Sequence, residues 1–131
     1  MNIRPATKDD WDAILGLIVQ YPEQLMQDHL PDPGAFFVAV TTDPSTSSGQ
    51  VVGCCALEVY SQRLAEIRSL AVAKEFQGKG IATALIEHCL EAAKKRDVYE
   101  VLTITGASTL FEKHGFGTFR NEKYALIKVL G

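Results

Sequence analysis

The sequence predicts an α/β fold of the α+β kind, a mixed β-sheet flanked by helices, formed by a single domain over residues 1–131. The chain of 131 residues has the length of one domain. Its hydrophobic fraction of 47%, against 22% charged residues, is typical of a packed globular core. Segments with helical spacing alternate with short β-rich segments, and a central strand–helix–strand unit requires the crossover that joins parallel neighbours.

The N-terminal segments predict one strand and two helices. Residues 2–6 form a short strand, and Thr7 is placed as the N-cap of an amphipathic helix over residues 8–20. The Tyr21-Pro22 pair ends or bends that helix. A weaker helical segment over residues 23–30 closes before a turn that is rich in proline and glycine.

The next segments predict three strands. Phe36 to Val40 and Val51 to Tyr60 form a β-hairpin whose long polar loop covers residues 42–49. The Ser/Thr-rich composition of this loop indicates a solvated connector. Leu64 to Val72 forms a further strand after a short turn.

The C-terminal part predicts two helices and two strands. From Ile81 to Arg96 the apolar residues trace one face, and basic residues close the helix at the negative end of its dipole. Val98 to Thr105 is predicted as a strand, Ser108 to His114 as a short helix, and Tyr124 to Leu130 as the last strand.

Charge and cysteine content exclude several classes of protein. The net charge of −3 does not supply the basic surface of a nucleic-acid clamp. No apolar run is long enough to cross a bilayer, and the first residues lack the apolar core of a signal peptide, so we expect a cytoplasmic protein that contacts no membrane. Cys54, Cys55 and Cys89 show no metal-ligand spacing and are predicted to be small buried hydrophobic residues, with no metal site.

A glycine-containing turn joins the strand ending at Val72 to the most regular helix. Gly78 and Gly80 lack side chains where the backbone turns, and the first turn of the helix offers N–H groups without intrahelical partners. These groups, with Lys79 beside them, predict an anion cradle that fits a phosphate. The Walker pattern fails, because Ala73 stands five positions before Gly78, and the dinucleotide pattern lacks its third glycine.

Two blocks of the sequence resemble a known family. The stretch Gln77 to Ala82 is similar to the Gln/Arg-x-x-Gly-x-Gly/Ala signature of the GNAT superfamily of N-acetyltransferases, and Leu110 to Phe116 is similar to a block near that family's C-terminal end. Together with the N-terminal strand, the resemblance covers about residues 2–119. It implies a mostly antiparallel sheet with one splayed parallel pair. It also implies acetyl-CoA as co-substrate and direct attack of a small primary amine on the thioester in a ternary complex.

The resemblance also implies the residues that hold the co-substrate. Backbone groups of Leu70, Ala71 and Val72 would bind the pantetheine arm, and the N–H of Leu70 would stabilise the oxyanion. The diphosphate would lie on the loop and the first helical turn, formed by Gln77, Gly78, Lys79, Gly80, Ile81 and Ala82. The physical reason is that a strand edge exposes amides that can pair with those of pantetheine.

Transfer to an amine requires a neutral nucleophile, so a general base is valuable. Glu66 is the first candidate, because it lies four residues before Leu70, as the general-base glutamate does in the histone-acetylating branch of the family. The alternative for Glu66 is a surface ion pair with Arg68 or Arg63. Glu58, on the neighbouring strand, is the reserve candidate.

One position departs from many relatives, which have a tyrosine where this chain has Phe111. Phe111 cannot protonate the leaving thiolate, and Tyr99 or Tyr124 would have to substitute. The absence of this acid supports an alternative function, a catalytically silent acetyl-CoA sensor or regulatory subunit.

The same residue, with the stretches around Glu66 and Val101, is similar to the acetyltransferase domain of N-acetylglutamate synthases. That resemblance implies an amino-acid acceptor such as glutamate. Its carboxylate would be bound by Arg68, together with Arg4, Arg63 or Arg120. A homodimer is left open.

Overall fold

The computed structural model describes residues 1–42, 49–118 and 123–131. Its five strands are β1 (Asn2–Pro5), β2 (Phe36–Val40), β3 (Val51–Val59), β4 (Leu64–Val72) and β5 (Glu100–Thr103). Its helices are α1 (Trp11–Ile18), α2 (Ile81–Lys95) and α3 (Ser108–Glu112). The predicted Ser/Thr-rich hairpin loop lies largely outside the described residues.

The strands form one sheet in the order β1-β2-β3-β4-β5. The first three neighbouring pairs are antiparallel, and β4 and β5 are parallel. Helix α2 makes the crossover between β4 and β5, as parallel strands require. The predicted fold class, a mixed and mostly antiparallel sheet with one parallel pair and flanking helices, is therefore confirmed.

The sheet has an apolar core on each face. Helix α2 covers one face, where Leu85, Ile86 and Cys89 pack against residues of β3 and β4 that include Ile67. Helix α1 covers the other face, where Ile14, Leu17 and Ile18 pack against Phe36, Val38, Cys54, Ala56 and Ala71. Alternate residues of each central strand thus face different helices, as the two-residue period of a strand dictates.

The start of α1 is fixed by a charged contact with β1. A 3-10 turn over Lys8–Asp10 precedes the helix, and the Thr7 N–H donates to the Asp10 carboxylate at 2.7 Å. Arg4 binds the same carboxylate through two nitrogens, at 2.7 and 3.0 Å. The predicted helical start after Thr7 is confirmed, although the α-helix itself ends at Ile18 rather than at residue 20.

The predicted helix over residues 23–30 is wrong, because the segment consists of turns and bends. The Gln27 side chain donates to the backbone carbonyls of Ile18, Tyr21 and Leu25. These side-chain hydrogen bonds satisfy backbone carbonyls that would accept from backbone N–H groups in a helix. A segment of this length between two prolines is also too short to be helical without tertiary support.

The predicted strand from Tyr124 to Leu130 is also wrong. Residues 123–131 have no regular secondary structure and are exposed, with Leu126 at 88% exposure. The local pattern has β-propensity, but a strand exists only where a neighbouring edge pairs with it.

The three cysteines are buried free thiols, which confirms their predicted role as small hydrophobic residues. Burial raises the pKa of Cys54 to about 12. Among the described residues, no helix has the length and hydropathy of a membrane span.

Candidate active site

A cleft opens where β4 and β5 separate. Their parallel pairing runs from Leu64 opposite Glu100 to Ile67 opposite Thr103, while β4 continues to Val72. At the last paired position, the Thr103 hydroxyl donates to the Ile67 carbonyl at 3.0 Å. Beyond this point, no strand of the described residues pairs with this edge of β4.

The cleft has a volume of about 770 Å³, which is within the usual range of small-molecule sites. Its walls come from the second half of β4, the β4–α2 loop, the first turn of α2 and the segment after β5. The lining residues on which the chemistry depends are Arg68, Leu70, Ala71, Val72, Gln77, Gly78, Gly80, Ile81, Ala82 and Phe111. Most residues of the predicted co-substrate site therefore meet in one cavity.

A β-bulge in β4 separates two sets of side chains. Arg68 pairs with Ala56 and Ala71 pairs with Cys54, so Ser69 and Leu70 together oppose one residue of β3. Ser69 adopts a positive φ of 57°, which is rare for a residue with a side chain. Before the bulge, Glu66 and Arg68 alternate with the buried residues Ala65 and Ile67, which pack on the side of α2. After it, Leu70 and Val72 pack towards α2, so the bulge breaks the simple alternation along this strand.

The β4–α2 loop carries the two glycines of the predicted anion cradle. Gly78 and Gly80 have φ angles of 77° and 80°, and Gly80 is the N-cap of α2. A Cβ atom built on either glycine meets no described atom within 4 Å, so it would project into open space. The Ala84 N–H donates to the Gly80 carbonyl at 3.1 Å. The three preceding N–H groups of α2 have no intrahelical partner and are available to an anion.

The N–H donors of this loop lie at the positive end of a 15-residue helix, where negative charge is stabilised. Lys79 is the one residue of the predicted set that does not line the cleft. Its Nζ lies 5.2 Å from the centroid of the Phe76 ring, and the residue lines a smaller neighbouring pocket.

Beside the cleft, β3, the residue that follows it and β4 carry a cluster of polar side chains. The Arg68 guanidinium donates to Glu58 at 2.5 Å and to the His29 carbonyl at 2.8 Å. The Tyr60 hydroxyl donates to Glu66 at 2.6 Å. We define Glu58, Tyr60, Glu66 and Arg68 as the acidic cluster, since its two carboxylates exceed its one guanidinium.

The ion pairs of the cluster distinguish the two candidate bases. Arg68 pairs with Glu58, and Arg63 pairs with Glu100 at 3.1 Å. Within residues 1–42, 49–118 and 123–131, Glu66 therefore has neither of the ion-pair partners considered from the sequence. Its carboxylate accepts from Tyr60 instead, but Glu66 does not itself line the cleft, whereas Arg68 does.

The electrostatics of the cluster keep its donors protonated. Burial, followed by the Glu66 hydrogen bond and charge, raises the pKa of Tyr60 above its ordinary value. Burial works against the charge of Arg68, but the hydrogen bond and charge of Glu58 raise its pKa overall. Tyr60 and Arg68 thus remain hydrogen-bond donors at neutral pH.

Of the other residues considered from the sequence, Phe111 lines the cleft, whereas Tyr99, Tyr124 and Arg4 do not. Phe111 is 4% exposed, lines the cleft and packs edge-on against Phe116 at 5.3 Å. Tyr99 and Tyr124 are 74% and 77% exposed and do not line the cleft. Arg4 binds Asp10, and Arg120 lies outside the described residues.

Sequence reasoning did not find Tyr21, Tyr60 or Ser69. Tyr21 was assigned only to a helix end, although it lines the cleft and hydrogen-bonds β4 and the β4–α2 loop. The sequence does indicate that Tyr60 lies near Glu58, because residues two apart in an extended segment share one face.

Comparisons with known proteins agree with this geometry. The model of the acetyltransferase (GNAT) domain family matches residues 32–118. An uncharacterized N-acetyltransferase of Chlorobaculum tepidum, CT2212, is 36% identical over 109 residues, which are 83% of this chain and 64% of that protein. The amino-acid acetyltransferase of Mycobacterium tuberculosis is 38% identical over 68 residues, which are 52% of this chain and 39% of that protein. This chain thus spans less than two-thirds of the length of either relative.

Two solved structures share the fold. Rv2747 from Mycobacterium tuberculosis, in complex with CoA and NLQ, has a TM-score of 0.82 and 32% identity, over 90% of this chain and 72% of that chain. N-acetylglutamate synthase from Neisseria gonorrhoeae, complexed with coenzyme A and N-acetyl-glutamate, has a TM-score of 0.72 over 87% of this chain and 27% of that chain. At 21% identity, this second structure bears on the fold alone.

Proposed function

Because this chain belongs to the acetyltransferase (GNAT) domain family, as its motifs predicted, we propose that it transfers the acetyl group of acetyl-CoA to a primary amine of a small molecule. The amine attacks the thioester directly in a ternary complex. One observation carries the proposal: the edge of β4 beyond its pairing with β5 and the glycine loop line the same cleft.

The co-substrate is held by backbone groups. Leu70 and Ala71 offer edge amides to pantetheine, which binds as an additional strand. Gly78, Gly80 and the first turn of α2 bind the diphosphate. The Val72 carbonyl already accepts from the Tyr21 hydroxyl at 2.5 Å, so Val72 contributes through its remaining hydrogen-bonding capacity.

Glu66 is the general base in this proposal. An alkylammonium of pKa about 10.4 is neutral in only about one part in 10³ at pH 7, a handicap of about 4 kcal/mol that a base relieves. The absence of an Arg68 or Arg63 ion pair supports Glu66, and the Arg68 ion pair argues against the reserve candidate Glu58. Since Glu66 lies outside the cleft lining, the proton reaches it through a water molecule.

The reaction is an acyl transfer. The amine lone pair attacks the thioester carbonyl carbon, the Leu70 N–H stabilises the oxyanion, and the C–S bond breaks as the amine proton passes to Glu66. Phe111 supplies no proton, so the thiolate leaves as an anion and is protonated by solvent. A thiol of pKa about 8.5 makes this step only about 2 kcal/mol unfavourable at pH 7.

The acceptor is an amino acid in this proposal, with glutamate as the first compound to test. Arg68 lines the cleft and would bind an acceptor carboxylate. The similarity to a protein named amino-acid acetyltransferase supports the same class.

The test has two stages. Acetyl-CoA should raise the melting temperature of the purified protein, and a panel of amines should then be screened for release of free CoA thiol. We expect at least one amino acid to be acetylated. Failure of acetyl-CoA to stabilise the protein would refute the co-substrate site.

A second candidate function, a silent acetyl-CoA sensor, is favoured by the buried Phe111 in the cleft. Both functions require CoA binding, so binding alone does not separate them. Thiol release in the presence of an amine separates them, because the sensor would turn over none.

A further inference from the structure

Tyr21 connects two parts of the co-substrate cleft that are distant from it in sequence. Its hydroxyl donates to the carbonyl of Val72, the last residue of β4, at 2.5 Å. The same oxygen accepts from Gln77 Nε2 at 2.6 Å. One hydroxyl thus joins the end of the strand to the loop that carries Gly78 and Gly80.

Neighbouring contacts hold Tyr21 and the loop together. The Gln20 side-chain oxygen accepts from the Lys74 N–H at 3.2 Å, and Lys74 Nζ lies 5.8 Å from the centroid of the Tyr21 ring. The Tyr21 carbonyl in turn accepts from the Leu25 N–H at 3.0 Å and from the Gln27 side chain at 3.3 Å.

The conformation of the cradle is not fixed by its own side chains, so contacts from other segments are needed to order it. Gly78 and Gly80 both have positive φ angles, and glycine loses more backbone entropy on ordering than any other residue. Residues 77–80 are exposed and contribute no buried side chain to fix the turn. A loop that must converge several N–H groups on one anion binds more tightly when it is ordered beforehand.

We propose that Tyr21 is a positioning residue for the co-substrate, which holds the diphosphate cradle in its binding geometry through Val72 and Gln77. The inference rests on the proposed function, since it assumes that the cradle binds the diphosphate of CoA. It also changes the role of Gln77, whose side-chain amide acts through Tyr21 rather than on the phosphate.

The test compares CoA with pantetheine, which lacks the diphosphate. Tyr21→Phe keeps the ring but loses both hydrogen bonds, and we expect its Kd for CoA by calorimetry to rise about tenfold. Its affinity for pantetheine, measured by NMR titration, should change less than twofold. Tyr99→Phe is the matched control, because Tyr99 is 74% exposed and outside the cleft, and its CoA affinity should match that of the wild type.

A double-mutant cycle tests the connection to Gln77. If Gln77 acts through Tyr21, Gln77→Ala should weaken CoA binding, and adding Tyr21→Phe should cost less than it does alone. Gln77 is exposed, so its variant tests the same hydrogen bond if Tyr21→Phe folds poorly.

Three results would overturn the inference: unchanged CoA binding by Tyr21→Phe, equal losses of CoA and pantetheine, or additive effects of the two substitutions. Equal losses would mean that Tyr21 supports β4 rather than the cradle. Failure of the proposed co-substrate site, on which the inference rests, is distinguishable, because the wild type itself would then bind no CoA.

Discussion

The guanidinium of Arg68 lies 2.5 Å from the carboxylate of Glu58, and this contact leaves the neighbouring Glu66 without Arg68 as its ion-pair partner. Glu58 and Glu66 are directly opposite each other on adjacent antiparallel strands. Two carboxylates at such positions repel each other unless a cation intervenes. Because Arg68 pairs with Glu58, Glu66 is left with the neutral Tyr60 hydroxyl as its partner. One of the two carboxylates is therefore committed to the ion pair, and the other accepts a hydrogen bond from a neutral hydroxyl.

Glu66→Gln should lower kcat by about 10²-fold or more, since it removes a base while preserving the shape of the side chain. The loss should be greatest at low pH, where little of the amine is neutral without assistance. Steady-state rates across pH and calorimetric CoA binding test this, and CoA affinity should stay unchanged. The control is Glu91→Gln, an exposed position on α2. Unchanged rates in Glu66→Gln would transfer the role to a water chain or to Glu58.

Arg68→Gln should raise the KM of an amino-acid acceptor about tenfold or more, because a guanidinium–carboxylate pair contributes about 1.5 to 3 kcal/mol. The matched measurement uses the α-amide of the same amino acid, which lacks the carboxylate. The ratio of the two KM values should approach one in Arg68→Gln. Equal KM values for the acid and the amide in the wild type would contradict the role of Arg68.

Glu58→Gln should increase the difference between the KM values of the amino acid and its α-amide, whereas Arg68→Gln should remove it. In the free protein Glu58 accepts from one guanidinium nitrogen of Arg68, so it would compete with the carboxylate of the proposed acceptor. Replacing Glu58 by a neutral amide removes this competitor, so the preference for the acid over the amide should increase. A smaller preference would mean that Glu58 instead positions Arg68 for the acceptor.

The backbone geometry of the proposed cradle was predictable from the sequence because its determinants are local. Gly78, Gly80 and the helix that follows are adjacent in the chain, and positive φ angles and free N–H groups follow from residue type and helix geometry. The class of the sheet was predictable for the same reason, since strand and helix periods are read from neighbouring residues.

The remainder of the site depends on contacts between distant segments. The bulge at Ser69 arises from the pairing of β3 with β4, and nothing in residues 68–71 alone specifies it. Tyr21 contacts residues more than fifty positions away. The choice of Glu58 over Glu66 by Arg68 is likewise a matter of geometry across two strands, so the sequence left both carboxylates open.

Asp10→Asn should destabilise the fold at neutral pH by about 2 kcal/mol. The Arg4 hydrogen bond, opposed by burial and assisted by the Thr7 N–H, lowers the pKa of Asp10 from 3.8 to about 2. A depressed carboxyl pKa contributes stability above the unfolded value, and this stability is lost as the pH falls through the folded value.

Urea unfolding of the wild type and Asp10→Asn at several pH values measures this contribution. The difference between the two proteins should be constant above pH about 5 and reduced to about half at pH about 3. Asp9→Asn, at an exposed neighbouring position, serves as the control and should show little difference at either pH. A difference that grows on acidification would show that the ion pair is not the cause.

Gly80→Glu should abolish CoA binding. The new side chain would project into the open space where the diphosphate is proposed to lie, so its carboxylate would repel the phosphates. Calorimetry with CoA tests this. Two effects are combined in that variant, because any side chain at a φ of 80° is also strained, by about 1 to 2 kcal/mol.

Gly80→Ala separates the two effects, since it carries the backbone strain without the charge. It should therefore retain measurable CoA binding, although weakened. Gly34→Glu places the same charge at an exposed glycine where a Cβ also meets open space, outside the residues that line the cleft, and should bind CoA as the wild type does. Normal CoA binding by Gly80→Glu would mean that the diphosphate lies elsewhere, because a carboxylate added at this helix N-terminus would repel the phosphates.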